Sequence, residues 1–166
     1  FLNKGLKIVL HDEKGGKEDI FHYEGGIGSY VTYLNQNKTV LFDEPIYIDK
    51  TVDGMAVEVA MQYTDSYNES ILSFANNINT HHGGTHLTGF RNAITRVLND
   101  YARENGFIKG KEKTFEGSDV REGLTAIISV QIPESLLQFE GQTKSKLGTP
   151  IARTIVESVV SEQLKF

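Results

Sequence analysis

The stretch LTAIISVQI, residues 124–132, predicts a strand at the centre of a β-sheet. One of its faces carries only apolar side chains: Leu124, Ala126, Ile128, Val130 and Ile132. Ile127 makes the other face apolar near its middle as well. A strand that is apolar on both faces is typical of a sheet interior that is covered on both sides. Pro133 cannot donate to a strand ladder, so it predicts the end of this strand.

The segments before this strand predict antiparallel pairing. The dipeptide DG at residues 53–54 is typical of a two-residue hairpin turn. The residues after it, 57–63, alternate between apolar positions and a second face that carries Glu58, Ala60 and Gln62. This alternation predicts a half-buried antiparallel strand. Another strand is predicted at residues 70–77.

Helices are predicted before, between and after these strands in the sequence. Apolar residues recur at helical spacing within residues 27–34 and within residues 85–105. The dipeptide TP at residues 149–150 predicts the start of a last helix, with the threonine hydroxyl as its cap. A single helical turn is predicted at residues 118–122, with Ser118 as its cap. Strands and helices are mixed, and antiparallel hairpins dominate, which indicates the α+β class.

Length and composition limit the possible functions. A chain of 166 residues can bury the core of one domain. Its net charge of −5 argues against a simple basic nucleic-acid-binding module. The absence of cysteine excludes disulfides and thiolate metal sites and fits an intracellular setting. No apolar run approaches the roughly 20 residues of a membrane span, and the N-terminus lacks the apolar core of a signal peptide. Because the chain begins without methionine, we interpret it as a fragment.

The stretch EGQTKSKLG, residues 140–148, is the candidate site for chemistry. It is a glycine-bounded polar loop between the central strand and the last helix. Gln142, Thr143 and Lys144 offer amide, hydroxyl and ammonium donors, which suit a phosphate group. The G-x-x-x-x-G-K-[ST] order of a P-loop is absent. The alternative is a solvated loop with two surface lysines, Lys144 and Lys146.

Several stretches, in order along nearly the whole chain, resemble one family. They are FHYEGG at residues 21–26, SFANN at 73–77, GGTH at 83–86 with GF at 89–90, REGL at 121–124 and QTK at 142–144. Together they are similar to the B component of the bacterial type IIA DNA topoisomerases, the family of DNA gyrase and topoisomerase IV. Within the α+β class, the resemblance implies the fold of the second domain of ribosomal protein S5.

The resemblance also implies a domain boundary. Residues 1–22 would be the C-terminal tail of a preceding ATP-binding domain, and residues 23–166 would be the transducer domain that carries the QTK loop. Strands predicted at residues 7–11 and 19–23 would form a hairpin in and next to that tail. Since the family's nucleotide pocket would lie upstream, we expect that this chain alone does not hydrolyse ATP.

In the family, the QTK loop reaches the γ-phosphate of ATP, which the preceding domain holds together with Mg²⁺. The resemblance therefore implies that Gln142 and Lys144 bind the γ-phosphate and that Lys144 is catalytic. The loop would sense the phosphate and couple ATP binding and hydrolysis to closure of a DNA gate. Strand passage would follow and change DNA supercoiling.

The implied partners are DNA, the gyrase A protein or its topoisomerase IV counterpart, and a second copy of the B protein, in a cytoplasmic A2B2 assembly. The family's dimer encloses a cavity for a DNA duplex. Arg91, Arg96 and Arg103 lie mostly off the apolar stripe of the helix predicted at residues 85–105, so they are candidate DNA contacts. The alternative for each arginine is solvation or an ion pair.

The resemblance leaves two paralogues open. FHYEGG and FANN resemble gyrase, whereas residues 133–139 and 148–150 resemble topoisomerase IV. We take the B protein of DNA gyrase as the leading interpretation and the B protein of topoisomerase IV as the alternative. Further alternatives are a MutL or Hsp90 middle segment, which shares the domain pairing, and an S5-like nucleic-acid-binding module.

His81, His82 and His86 raise the possibility of a metal site. His82 and His86 are four residues apart, a spacing that suits one helix face. However, no carboxylate lies within the motif at ligand spacing, and the family implied by the resemblance uses no metal here. We therefore expect a polar loop that enters a helix, and no metal site.

Overall fold

The computed structural model describes residues 1–110 and 113–165 and shows a mixed α+β fold, as the sequence predicts. Its main element is a five-stranded sheet in the order β3-β4-β7-β5-β6. These strands are β3 (Ile46–Val52), β4 (Met55–Tyr63), β5 (Ser70–Ala75), β6 (Ile78–Asn79) and β7 (Leu124–Gln131). Two short hairpins lie outside this sheet: β1 (Lys7–Asp12) with β2 (Lys17–His22), and β8 (Phe139–Glu140) with β9 (Lys146–Leu147).

Strand β7 is the central strand, which confirms the prediction from its apolar faces. It pairs antiparallel with β4 and parallel with β5. All of its residues except Gln131 are buried. The burial of both faces follows from helices that cover the sheet on both sides.

The helices divide between the two faces of the sheet. Helices α2 (Thr85–Glu104) and α4 (Pro150–Gln163) pack against each other and against one face, where Phe90 and Val156 are fully buried. Helix α1 (Gly26–Leu34) covers the other face and packs on Ala60, Phe74 and Ile127.

Strand β4 is more buried than its alternation predicts. Ala60 and Gln62, which the pattern assigns to a solvent face, are 0% and 2% exposed. Ala60 packs against α1, and the Gln62 amide oxygen accepts a hydrogen bond from Asn35 Nδ2 at 2.9 Å. The antiparallel pairing of β4 is confirmed, but the prediction of a half-buried strand is wrong at Ala60 and Gln62, because α1 and the residue after it cover that part of the second face.

The hairpin between β3 and β4 forms as predicted. Asp53 and Gly54 have φ angles of 51° and 77°, so both turn residues are left-handed. This is the conformation that the two-residue hairpin turn requires and that a DG dipeptide accepts readily.

Two predicted helix caps are wrong. The short helix α3 (Gly117–Arg121) has Glu116 as its N-cap instead of Ser118, and the Glu116 N–H donates to the Asp119 carboxylate at 2.8 Å. Thr149 does precede α4, but its hydroxyl donates to Leu136 O at 2.9 Å instead of capping the helix. In both cases the N-terminus of the helix is arranged by a hydrogen bond that the local sequence pattern does not predict.

Candidate functional site

The candidate phosphate loop is the tip of the β8–β9 hairpin. Glu140 pairs with Lys146 across it, and residues 141–145 form the connection. Gly141 and Lys144 have φ angles of 79° and 52°, and the Lys144 N–H donates to Gly141 O at 3.4 Å. The sequence predicts this segment as a loop, and the structure adds short strands at its two ends.

The tip presents its donors to solvent. Gln142, Thr143 and Lys144 are all exposed. The Lys144 ammonium lies 6.0 Å from the centre of the Phe139 ring, and within residues 1–110 and 113–165 no carboxylate pairs with it. By contrast, Lys146 Nζ lies 2.8 Å from Glu140 Oε2. Lys144 is therefore available to meet an anion, whereas Lys146 already has an acid partner.

The base of the hairpin is tied to the loop that precedes α2. The His82 N–H donates to Ser145 O at 2.9 Å, and the Leu147 N–H donates to Gly83 O at 3.1 Å. Gly84 and Leu147 also form a parallel bridge. Leu147 is 0% exposed, so the hairpin is anchored in the core within three residues of its exposed tip.

Gly84 makes this close approach possible. Its φ of 138° lies in a region that side chains rarely adopt, and a Cβ there would be 2.4 Å from Leu147 O and 2.6 Å from Leu147 N. The opposing atoms are backbone atoms, which cannot move aside as the end of a flexible side chain can. The GGTH stretch thus supports the candidate phosphate loop, a role that the sequence interpretation missed.

Thr85 and Thr149 tie the starts of α2 and α4 together. Thr85 Oγ1 donates to Thr149 O at 2.7 Å. The Thr149 hydroxyl in turn accepts from the Gln138 N–H at 2.9 Å, next to β8. The hairpin and the first turns of both helices are therefore one connected unit.

His86 is a buried residue of this unit. It is 0% exposed, and its Nε2 lies 3.0 Å from Thr80 Oγ1. Burial lowers the pKa of His86 to about 4, so the imidazole is neutral at physiological pH. Its Nδ1 is buried and has no hydrogen-bond partner among the residues that the structure describes.

The three histidines of the metal hypothesis do not converge. The rings of His81 and His82 lie 4.4 Å apart on the exposed loop, whereas His86 points into the interior. His82 Nδ1 lies 3.1 Å from Ser145 Oγ, and His86 bonds Thr80. In the described ranges, no three histidine or acidic side chains form a group that could hold a metal ion.

The three candidate DNA-contact arginines have different surroundings. Arg91 Nη2 lies 2.9 Å from Glu69 Oε1, and the other oxygen of Glu69 pairs with Arg121 Nε at 2.5 Å. Arg96 pairs with Glu157 at 2.9 Å and donates to Ser161 Oγ at 2.7 Å.

Arg103 lies in the last turn of α2 and is exposed. It has no acidic partner in the described part of the chain.

The helices of that same part include none that is long and apolar enough to cross a membrane.

The chain is similar to known proteins over nearly its whole length. The family model for DNA gyrase B matches residues 26–166. The gyrase B protein of Clostridium acetobutylicum is 57% identical over 99% of this chain, and the topoisomerase 4 B protein of Staphylococcus epidermidis is 57% identical over 100% of it. The chain spans only about a quarter of these relatives, 26% and 25% of their lengths.

A solved structure agrees in fold. The 43K ATPase domain of Thermus thermophilus gyrase B, in complex with an aminocoumarin, superposes with a TM-score of 0.87 and 42% identity. The match covers 98% of this chain and 43% of that one. The mixed sheet, the two-sided helix cover and the QTK hairpin thus have the ribosomal protein S5 domain 2-like arrangement expected from the motifs. With a family model that matches most of its length, the chain belongs to the DNA gyrase B family.

Proposed function

We propose that residues 23–166 are the transducer domain of a DNA gyrase B protein and that residues 1–22 are the tail of its ATP-binding domain. The exposed β1–β2 hairpin supports this boundary. Every residue of both strands is exposed, including Val9, Leu10 and Ile20. A two-stranded ribbon with apolar side chains in solvent is marginally stable alone, and a neighbouring domain would cover it.

Within this function, the loop senses the γ-phosphate of ATP bound by the preceding domain. The observation that carries the proposal is the solvent-exposed Lys144 ammonium at the tip of a hairpin anchored by buried Leu147. Lys144 supplies a full positive charge where negative charge develops during phosphoryl transfer, and Gln142 supplies a neutral donor. A charge-assisted hydrogen bond of this kind contributes about 1.5–3 kcal/mol.

The anchoring of the loop provides the coupling. A phosphate that attracts Lys144 also acts on Leu147 and, through it, on Gly84 and the start of α2. The domain then responds as a two-state element that the ligand biases, which is how ATP binding would close the DNA gate and promote strand passage.

The rest of the enzyme supplies the other parts of the reaction. ATP with Mg²⁺ would be held mainly by the preceding domain, and this chain would contribute the γ-phosphate contacts. The assembly would be a cytoplasmic A2B2 complex that acts on DNA, with a homodimer of B proteins and the gyrase A protein.

Arg91, Arg96 and Arg103 would face the DNA cavity. Arg103, which is exposed and has no acidic partner among the described residues, is best suited to contact a phosphate.

The test compares two nucleotides in the full-length enzyme. Lys144→Ala should lower turnover by roughly 10²–10³, because a donor to the developing charge is lost. It should also weaken binding of a non-hydrolysable ATP analogue while leaving ADP affinity almost unchanged, since ADP lacks the γ-phosphate. Gln142→Ala should have a milder effect in the same direction.

Lys146→Ala is the matched control. Lys146 is two residues away, carries the same charge and is paired with Glu140, so its loss should change neither turnover nor analogue binding. Equal loss of ADP and analogue affinity in Lys144→Ala would assign the lysine a general structural role. Unchanged affinity for both would show that the loop does not sense the γ-phosphate.

The B protein of topoisomerase IV is the alternative, because the two curated relatives share the same 57% identity with this chain. ATP-dependent negative supercoiling by the full-length protein with its A partner would support gyrase, whereas decatenation without supercoiling would support topoisomerase IV. The MutL, Hsp90 and S5-module alternatives are disfavoured by the family match over residues 26–166.

A further inference from the structure

Lys144 occupies a conformation that the loop must hold in place. Its φ of 52° is left-handed, which disfavours a residue with a Cβ by about 1–2 kcal/mol. Its neighbours on the tip, Gln142 and Thr143, are exposed and cannot fix it by burial. The next residue, Ser145, is only 5% exposed and is the first buried residue after the lysine.

The Ser145 hydroxyl joins the tip to the loop before α2. Its Oγ lies 3.0 Å from Thr143 Oγ1 and 3.1 Å from His82 Nδ1. A serine hydroxyl has one hydrogen to donate and two lone pairs to accept with, so it can bond both partners at once. Thr143 and Ser145 flank Lys144, so these contacts restrict the backbone on both sides of the lysine.

We propose that Ser145 and His82 are positioning residues for Lys144. Their side chains hold the Lys144 backbone so that the ammonium is directed at the incoming phosphate. This inference rests on the proposed function of Lys144. The backbone bonds from His82 N to Ser145 O and from Leu147 N to Gly83 O do not need either side chain, so the hairpin stays attached without them. The backbone hydrogen bonds therefore attach the hairpin, and the side-chain hydrogen bonds of Ser145 and His82 orient Lys144 within it.

The experiment measures affinity for a non-hydrolysable ATP analogue and for ADP in the full-length enzyme. Ser145→Ala should weaken analogue binding about fivefold, the size expected for the loss of one or two neutral hydrogen bonds, and leave ADP binding unchanged. His82→Ala should act in the same direction and no more strongly. Ser135→Ala, at an exposed serine in the same chain, should change neither affinity.

A double-variant cycle distinguishes positioning from general support. In a Lys144→Ala background, Ser145→Ala should cause no further loss of analogue affinity, because the residue it positions is gone. A further fivefold loss there would overturn the inference, as would unchanged analogue affinity in Ser145→Ala alone. A parallel loss of ADP affinity or a melting temperature lowered by more than about 5 °C would also overturn it.

The same data keep the two proposals apart. If Lys144→Ala alone has no effect on analogue affinity, the proposed function fails. If Lys144→Ala has its expected effect and Ser145→Ala has none, only the positioning role fails.

Discussion

His86 Nε2 lies 3.0 Å from Thr80 Oγ1 in the interior below the phosphate loop. The Thr80 hydroxyl also lies 2.9 Å from Ser73 O and 2.8 Å from Ser73 Oγ. Thr80, Ser73 and His86 therefore form one buried polar cluster. The Thr80–Gly84 loop is thus fixed from the interior by His86 and on its outer side by Ser145 and Leu147.

The first prediction concerns stability and pH. The pKa of His86 is lowered from 6.5 to about 4 by burial, so the unfolded chain takes up the proton first as pH falls. The His86 contribution is fully present above about pH 6.5 and is lost progressively as pH falls towards 4. Between pH 7.5 and pH 5 the free energy of unfolding should drop by about 2 kcal/mol from this group.

Urea unfolding of the chain and of His86→Gln at both pH values measures this drop. Glutamine does not titrate, so the variant should be less stable at pH 7.5 but should lose about 2 kcal/mol less on acidification. Exposed carboxylates titrate in both proteins and cancel in the difference. An identical pH dependence in the two proteins would contradict the assignment.

The second prediction concerns Gly84. Gly84→Ala should destabilise the chain by at least about 2 kcal/mol, because the new Cβ meets the Leu147 backbone and the φ of 138° is strained. In the full-length enzyme it should also weaken binding of the ATP analogue, since the anchor of the hairpin is displaced. Gly28→Ala is the control: a Cβ there meets nothing within 4 Å inside α1, so the change should be neutral or slightly stabilising.

The third prediction concerns DNA. In the full-length enzyme, Arg103→Gln should reduce the stimulation of ATP hydrolysis by DNA, and the reduction should shrink as salt is raised. Its melting temperature should not change, because the side chain is exposed and has no acidic partner in the described residues. Arg153→Gln, at another exposed arginine without an ion pair there, should leave DNA stimulation intact. Full stimulation in Arg103→Gln, and in the variant with Arg91, Arg96 and Arg103 all neutralised, would remove these residues from the DNA path.

The fourth prediction concerns the chain by itself. It should not hydrolyse ATP, because the proposed function assigns the nucleotide pocket to the preceding domain. A coupled assay on purified protein should give only background turnover, equal in the wild type and in Lys144→Ala. Turnover that Lys144→Ala abolishes would mean that a complete catalytic site lies within these residues.

The parts of the fold that the sequence predicts correctly are those with a local signal. Ile127 between two apolar neighbours identifies β7 as central, and the DG pair at residues 53–54 has the turn geometry that its chemistry favours. The burial of Ala60 is not predicted, because it depends on α1 and the sequence pattern of β4 does not indicate which helix covers this strand. The S5-like topology came from the motifs, since periodicity does not specify strand order.

For the candidate site, too, the sequence predicts the features that have a local signal and misses the contacts between distant residues. The QTK motif indicates Gln142 and Lys144 as candidate phosphate contacts, but the residues that hold the loop lie far away in the sequence. His82 and Ser145 are 63 residues apart, and neither carries a signal that points to the other. The two glycines at residues 83–84 were a usable clue, because a pair of left-handed glycines next to a helix permits close backbone contact.

The shared start of α2 and α4 has a mechanical consequence. Because Thr85 donates to Thr149 O and Gly84 forms a bridge with Leu147, the starts of α2 and α4 are joined beside the candidate phosphate loop, and this junction would be the pivot of any tilt of the two helices. Helix α2 has 20 residues and so a length of about 30 Å. A tilt of about 5° at the pivot would carry its far end, where Arg103 lies, through about 2–3 Å. A small displacement at the hairpin would thus be enlarged at the end of α2 that carries Arg103.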